Sequence, residues 1–251
     1  MSHPSAGPIA AVVALMISLM SAQLGSPITP QLATQMNNTT APAPTTIASG
    51  AGTPTARPPA PQVTHQLVFF GDSLTEGLFA TTPARDYAYR TAAQTGKTFL
   101  VQGQYGVSAV FTANKMRASN PKFKVVAGDA LDVIIELGTN DVVASGETLA
   151  QFESSYDYIL TRVHQDAPNA KLICLGVWRD PDAGAENSGY AYNQVIQADC
   201  PGAYVPLGDL YMNFSLHGPV GRPTWIGNAD WFHPNDAGHA AIASRVAAAV
   251  G

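Results

Sequence analysis

Four short stretches of this chain carry groups that could act together on a carbonyl carbon. The first is LVFFGDSLTEG, where four apolar residues run into Gly71-Asp72-Ser73. A serine hydroxyl is a weak nucleophile until a base removes its proton. The base on offer is His233 in DWFHPND, with Asp230 three residues before it. A free imidazole, with a pKa of ~6.5, accepts a proton near neutrality, and a carboxylate fixes its tautomer and stabilises its charged form. The other two stretches are QYGVSA, around Gly106, and LGTND, around Asn140. The N–H groups of Ser73 and Gly106 and the carboxamide of Asn140 would supply three donors to the oxyanion formed by such an attack.

Each group also has a plainer reading. Ser73 alone reads as a turn or helix-cap residue. Asp72 reads as scaffold, holding its loop through the backbone. Asp141 is a second candidate for the acid, but Asp230 and His233 at i,i+3 are better placed on one turn. His239 falls inside a helix, where packing or solvent exposure is the expectation. His65, His164 and His217 have no partner pattern. Trp178 and Trp231 are candidates to line a substrate cleft, since aromatics stack on sugars or cover acyl chains; packing is the competing reading. Arg179 is a candidate to meet an anionic head group. No HExxH, CxxC or carboxylate cluster occurs, so no metal is required.

Such groups need elements to position them. Hydrophobic patterning predicts strands over 66–70, 98–101, 131–137, 172–177 and 203–207. Helices are predicted over 84–94, 107–119, 147–165, 186–198 and 237–250. The third helix has the clearest period: Leu149, Phe152, Tyr156, Ile159, Leu160 and Val163 recur at 3–4 spacing. This alternation predicts a parallel sheet covered on both faces. Ligands in such folds bind beyond the carboxyl ends of the strands. Three of the four stretches fall just after a predicted strand, and the fourth just before the last helix.

The alternating region covers residues 65–251, and what precedes it is different material. No Lys, Arg, Asp or Glu occurs before Arg57. Residues 1–22 contain the apolar run IAAVVALMISLM, of a length that suits a signal peptide or short anchor, although the n-region has no Lys or Arg. Residues 23–64 are rich in Thr, Pro and Ala and lack hydrophobic period, as a disordered linker does. The expectation is an exported, extracytoplasmic domain tethered to a membrane or cell wall. Sequons at Asn37, Asn38 and Asn213 matter only in a eukaryotic secretory host. Cys174 and Cys200 form an even count that suits a disulfide in an exported chain; two buried thiols are the alternative. Net charge is −5 with no long basic run, which excludes a nucleic-acid partner.

No GxSxG occurs, so the serine turn of α/β-hydrolases is absent. The four blocks instead resemble the SGNH, or GDSL, hydrolase family from about Leu67 to Val250. GDSLTEG is similar to its nucleophile block, QYGVSA to its glycine block, LGTND to its asparagine block and DWFHPND to its DxxH block. Two small departures occur: Ala109 stands where a glycine is frequent, and DWFH carries two aromatics between acid and base. The resemblance implies a three-layer α/β/α, flavodoxin-like fold on a central five-stranded, mainly parallel sheet. It also implies a Ser73–His233–Asp230 triad, an oxyanion hole of Ser73, Gly106 and Asn140, no cofactor, and a monomer. The expected function is exported hydrolysis of small-acyl esters such as acetylated carbohydrates. The alternatives are a lysophospholipase-type acyl hydrolase and a non-catalytic carbohydrate-binding protein on the same fold.

Overall fold

The protein is described from a computed structural model over residues 66–125, 130–143 and 146–251. The expectations for residues 1–22 and 23–64 lie outside the described residues. Five strands form one sheet: β1 (Leu67–Gly71), β2 (Phe99–Gly103), β3 (Asp132–Glu136), β4 (Lys171–Leu175) and β5 (Ala203–Val205). Their order is β2-β1-β3-β4-β5, and every pairing is parallel. The sheet is therefore wholly parallel. Gly71 at the end of β1 is level with Gly103 of β2 and Glu136 of β3, so three loops leave from one edge at one height.

Alternate strand residues face opposite sides, as a period of two requires. Val68, Phe70, Val133, Ile135, Leu172 and Cys174 enter one core. Covering them are helices α2 (Ala109–Arg117), α3 (Leu149–Asp166) and α4 (Tyr190–Asp199). Leu67, Phe69, Ile134, Ile173, Leu175 and Val205 enter the other core, under α1 (Tyr87–Thr95) and α6 (Asp236–Ala249). The result is the three-layer α/β/α arrangement. A one-turn helix, α5 (Gly208–Tyr211), follows β5 and carries too little periodicity to be predicted.

Local chemistry sets the helix ends. The Thr148 hydroxyl accepts from the Gln151 N–H while the Gln151 side chain accepts from the Thr148 N–H, a capping box that starts α3. Asn235 caps α6 by accepting from the N–H groups of Ala237 and Gly238 at 2.9 and 3.1 Å. Its amide donates back to the carbonyls of Ser215 and His217, which binds the loop before the helix to the helix start. Cys174 at the end of β4 is disulfide-bonded to Cys200 at the end of α4, with Cα atoms 6.1 Å apart. Among the described residues no helix is long and apolar enough to cross a membrane.

Candidate active site

β1 delivers Ser73 to the sheet edge through a turn with little room. A Cβ on Gly71 would come within 2.2 Å of Thr75 Oγ1 and 2.4 Å of the Glu136 carbonyl. A Cβ on Gly103 would meet the Glu76 nitrogen at 2.3 Å, so the end of β2 lies against the same turn. After Ser73 the chain coils tightly: Glu76 N–H donates to Asp72 O at 3.0 Å and Leu78 N–H to Ser73 O at 2.9 Å. This leaves the Ser73 N–H without a protein acceptor among the described residues.

His233 reaches Ser73 from the opposite end of the domain sequence. Its Nε2 lies 3.1 Å from Ser73 Oγ, and its Nδ1 lies 2.9 Å from Asp230 Oδ2. With Nδ1–H donating to the carboxylate, Nε2 presents its lone pair to the hydroxyl. Asp230 Oδ1 accepts from the N–H groups of Phe232 and His233, both at 2.8 Å, which sets the turn between acid and base. Burial alone would raise the Asp230 carboxyl. Its hydrogen bonds from His233, the imidazole charge and the two backbone donors outweigh burial and hold it below the usual aspartate range.

Two features unseen in the sequence pattern hold this turn. The Phe232 carbonyl accepts from Trp178 Nε1 at 2.8 Å and lies 2.8 Å from His217 Nδ1. Phe79 packs edge-on against the His233 ring, centroids 5.1 Å apart. Phe79 does this at φ +66°, a left-handed conformation that a bulky side chain adopts only under constraint. Of the two readings of Trp178, cleft lining and packing, packing holds. The side chain is wholly buried, its ring against Tyr211 and His217, and offers no face to a substrate. Trp231, in contrast, is 59% exposed.

The oxyanion candidates differ in state. Gly106 has φ +72°, and no atom lies within 4 Å of where a Cβ would stand, so backbone conformation alone favours glycine there. Its N–H has no protein acceptor among the described residues. Asn140 is committed: Nδ2 donates to Asp72 Oδ2 and to the Val107 carbonyl, both at 2.9 Å. These bonds tie the neighbours of Ser73 and Gly106 together. The open donors are thus the two backbone N–H groups, with the Asn140 carboxamide bracing them.

Asp141 and His239 are placed by packing. Asp141 accepts from Ala109 N–H at 2.7 Å and Val110 N–H at 3.1 Å, so it caps α2; burial lifts its pKa to about 7. His239 is fully buried, accepts from Tyr87 N–H and faces the Leu78 carbonyl, and burial lowers its pKa to about 4. Neither touches Ser73. Beneath Ser73 lies a pair that the sequence reading passed over. Asp72 and Glu136 are both buried, and each carboxyl acts on the other's pKa. Asp72 N–H also donates to the Glu136 carbonyl at 3.2 Å and to Oε2 at 3.3 Å. Burial raises both carboxyls, Glu136 furthest because the Asp72 charge adds to it. Among the described residues no group of three or more His, Cys, Asp or Glu could hold a metal ion.

Known proteins bear on this geometry in two ways. The model of the GDSL-like lipase/acylhydrolase family matches residues 69–241. Solved structures are similar at low identity. A Corynascus (Myceliophthora fergusii) carbohydrate esterase of family two, with a carbohydrate-binding domain, is 18% identical, with TM-score 0.56, covering 79% of this chain and 68% of that one. A two-domain esterase active on acetylated mannans is 19% identical, with TM-score 0.52, covering 73% of this chain and 47% of that one. A psychrotrophic Pseudoalteromonas esterase, solved with monoethylphosphonate as inhibitor, is 15% identical, with TM-score 0.53 and coverages of 73% and 95%. No curated protein matches the chain.

Proposed function

The chain belongs to the GDSL-like lipase/acylhydrolase family, and from that premise we propose that it is a serine ester hydrolase with Ser73 as nucleophile, His233 as base and Asp230 as orienting acid. The observation that carries this reading is the unbroken line from Asp230 Oδ2 through His233 to Ser73 Oγ, at 2.9 and 3.1 Å. Ser73 Oγ bonds to the ester carbonyl carbon as its proton passes to His233 Nε2. The oxyanion meets the N–H groups of Ser73 and Gly106. His233 returns the proton to the departing alcohol, leaving an acyl-serine. Water, deprotonated by the same imidazole, then releases the acid and restores Ser73.

The proposed substrates are small-acyl esters, acetylated carbohydrates first. Two considerations support this: solved relatives in fold include a carbohydrate esterase and an esterase active on acetylated mannans, and an exposed Trp231 stands in the turn that carries the base. Export is part of the proposal. The signal-like run at 9–20 and a linker whose only charge is Arg57 suit it, as does a Cys174–Cys200 disulfide. A fluorophosphonate probe should label the wild type and leave Ser73→Ala unlabelled; labelling of both, or of neither, overturns the assignment. A series of p-nitrophenyl esters should favour acetyl over longer chains.

A further inference from the structure

Arg179 follows β4 at the same sheet edge as the triad. Its guanidinium carbon stands 4.3 Å from the centre of the Phe232 ring. That ring belongs to the turn between acid and base and lies 5.0 Å from the His233 imidazole. Arg179 Nε donates to the Thr139 carbonyl at 3.5 Å, next to Asn140. The Tyr211 side chain also favours its charged form. A guanidinium carries five N–H donors, so most of its donor capacity is left over. Two arginines pair with carboxylates, Arg245 with Asp209 and Arg162 with Asp166. Among the described residues no carboxylate pairs with Arg179. The neighbouring Asp180 accepts from the Asp182 N–H instead. A half-buried guanidinium with no carboxylate in contact is left to find another partner, and this one stands beside both the base and the Asn140 loop.

We propose that Arg179 is a specificity residue that binds a carboxylate of the substrate, so that the preferred ester is one carried by an acidic, uronosyl-type sugar. This rests on the ester-hydrolase reading above. Stacking on Phe232 fixes the plane of the guanidinium and leaves its in-plane N–H edge to meet a ligand. A planar carboxylate takes two parallel bonds from such an edge. Trp231, exposed in the same turn, offers the flat apolar face on which a sugar ring packs. Together they describe an acidic sugar better than a lipid head group.

The test uses the full chain and matched substrates: an O-acetylated methyl glucuronide with a free carboxylate, and the same compound as its neutral methyl ester. Wild type should prefer the free acid in kcat/KM. In Arg179→Met that preference should fall by ~10–100-fold, carried by KM, as expected for losing a charged hydrogen bond. Arg179→Lys, which keeps the charge and loses the fork, should fall between. No wild-type preference, or equal losses on both compounds, overturns the proposal; equal losses would mean that Arg179 only props Phe232. An Arg179-dependent preference confined to lysophosphatidylglycerol over lysophosphatidylcholine would also overturn it. p-Nitrophenyl acetate separates the two readings. If it is not hydrolysed, the Ser73 assignment fails; if it is, without charge preference among the sugars, only the Arg179 proposal fails.

Discussion

Ser73 has a carboxylate on either side, and the two sides are built to opposite ends. On one side Asp230 meets Ser73 through His233. It is one-fifth exposed, takes three hydrogen bonds and is held ionised. On the other side Asp72 approaches Ser73 Oγ directly at 3.4 Å, but it is fully buried and leans on a second carboxyl, Glu136. Proximity to Ser73 therefore does not by itself mark the acid of the proposed triad. Asp72 Oδ1 also accepts from Leu74 N–H at 3.0 Å, and Oδ2 from Asn140 Nδ2. Its lone pairs are spent on shaping the loop. Asp230 spends its own on the imidazole and on the two N–H groups that aim it.

The sharpest way to break this contrast is to neutralise each acid in turn. Asp230→Asn should lower kcat by about 10³–10⁴, since an amide presents the wrong tautomer to His233. Asp72→Asn should cost less, about 10²-fold: its amide oxygen can still accept from Leu74 N–H, but its NH2 faces Asn140 Nδ2 and loosens the brace. Steady-state kinetics on p-nitrophenyl acetate measures both. A larger loss from Asp72→Asn than from Asp230→Asn would reverse the roles given to them.

Asn140 gives the next largest effect and a finer cut. Its carboxamide joins Asp72 to the Val107 carbonyl and so links the loops that carry the two open N–H donors. Asn140→Ala removes that brace, and a missing or misplaced oxyanion donor costs about 10²–10³ in kcat. The loss should appear in kcat with KM little changed, because the oxyanion exists only in the transition state. A defect confined to KM would place Asn140 on the substrate side.

The sequence made some of this visible and hid the rest for definable reasons. Strand–helix alternation and the parallel sheet were readable because a period of two or 3.6 reports which residues are buried. The Asp230–His233 pair was readable because it is local, three residues on one turn. Partners from distant segments were not. Glu136 reads as an ordinary strand residue, yet it faces Asp72 because Gly71 and Glu136 are in register. Trp178 reads as a cleft aromatic because it follows a strand. Its indole is instead drawn inward to the Phe232 carbonyl, 54 residues away. Asp141, beside Asn140, reads as a spare acid until the α2 N-terminus is seen to sit on it. Spacing locates a loop at the sheet edge, while the direction of a side chain within it depends on what packs there.

The smallest effect on turnover should come from Glu136→Gln, and it tests the buried side of the contrast by stability. A glutamine keeps a donor toward Asp72 and an acceptor for the Thr75 hydroxyl, which bonds Glu136 Oε2 at 3.2 Å. It cannot titrate. In the wild type both carboxyls are raised by burial, so above the ordinary carboxylate pKa of ~4 the folded state holds a proton that the unfolded chain has lost. Stability from this pair is then full below that pKa and falls as pH rises, by up to ~1.4 kcal/mol per pH unit for one proton. Asp141, raised to about 7, adds a slope of the same sign, but it is present in both proteins and cancels in the comparison. Urea unfolding between pH 5 and 8 should therefore show the wild type losing stability more steeply than Glu136→Gln. Parallel slopes would mean that no proton is held between Asp72 and Glu136. Asp72 would then be an ionised neighbour of Ser73, and the case for Asp230 as the only working acid would rest on kinetics alone.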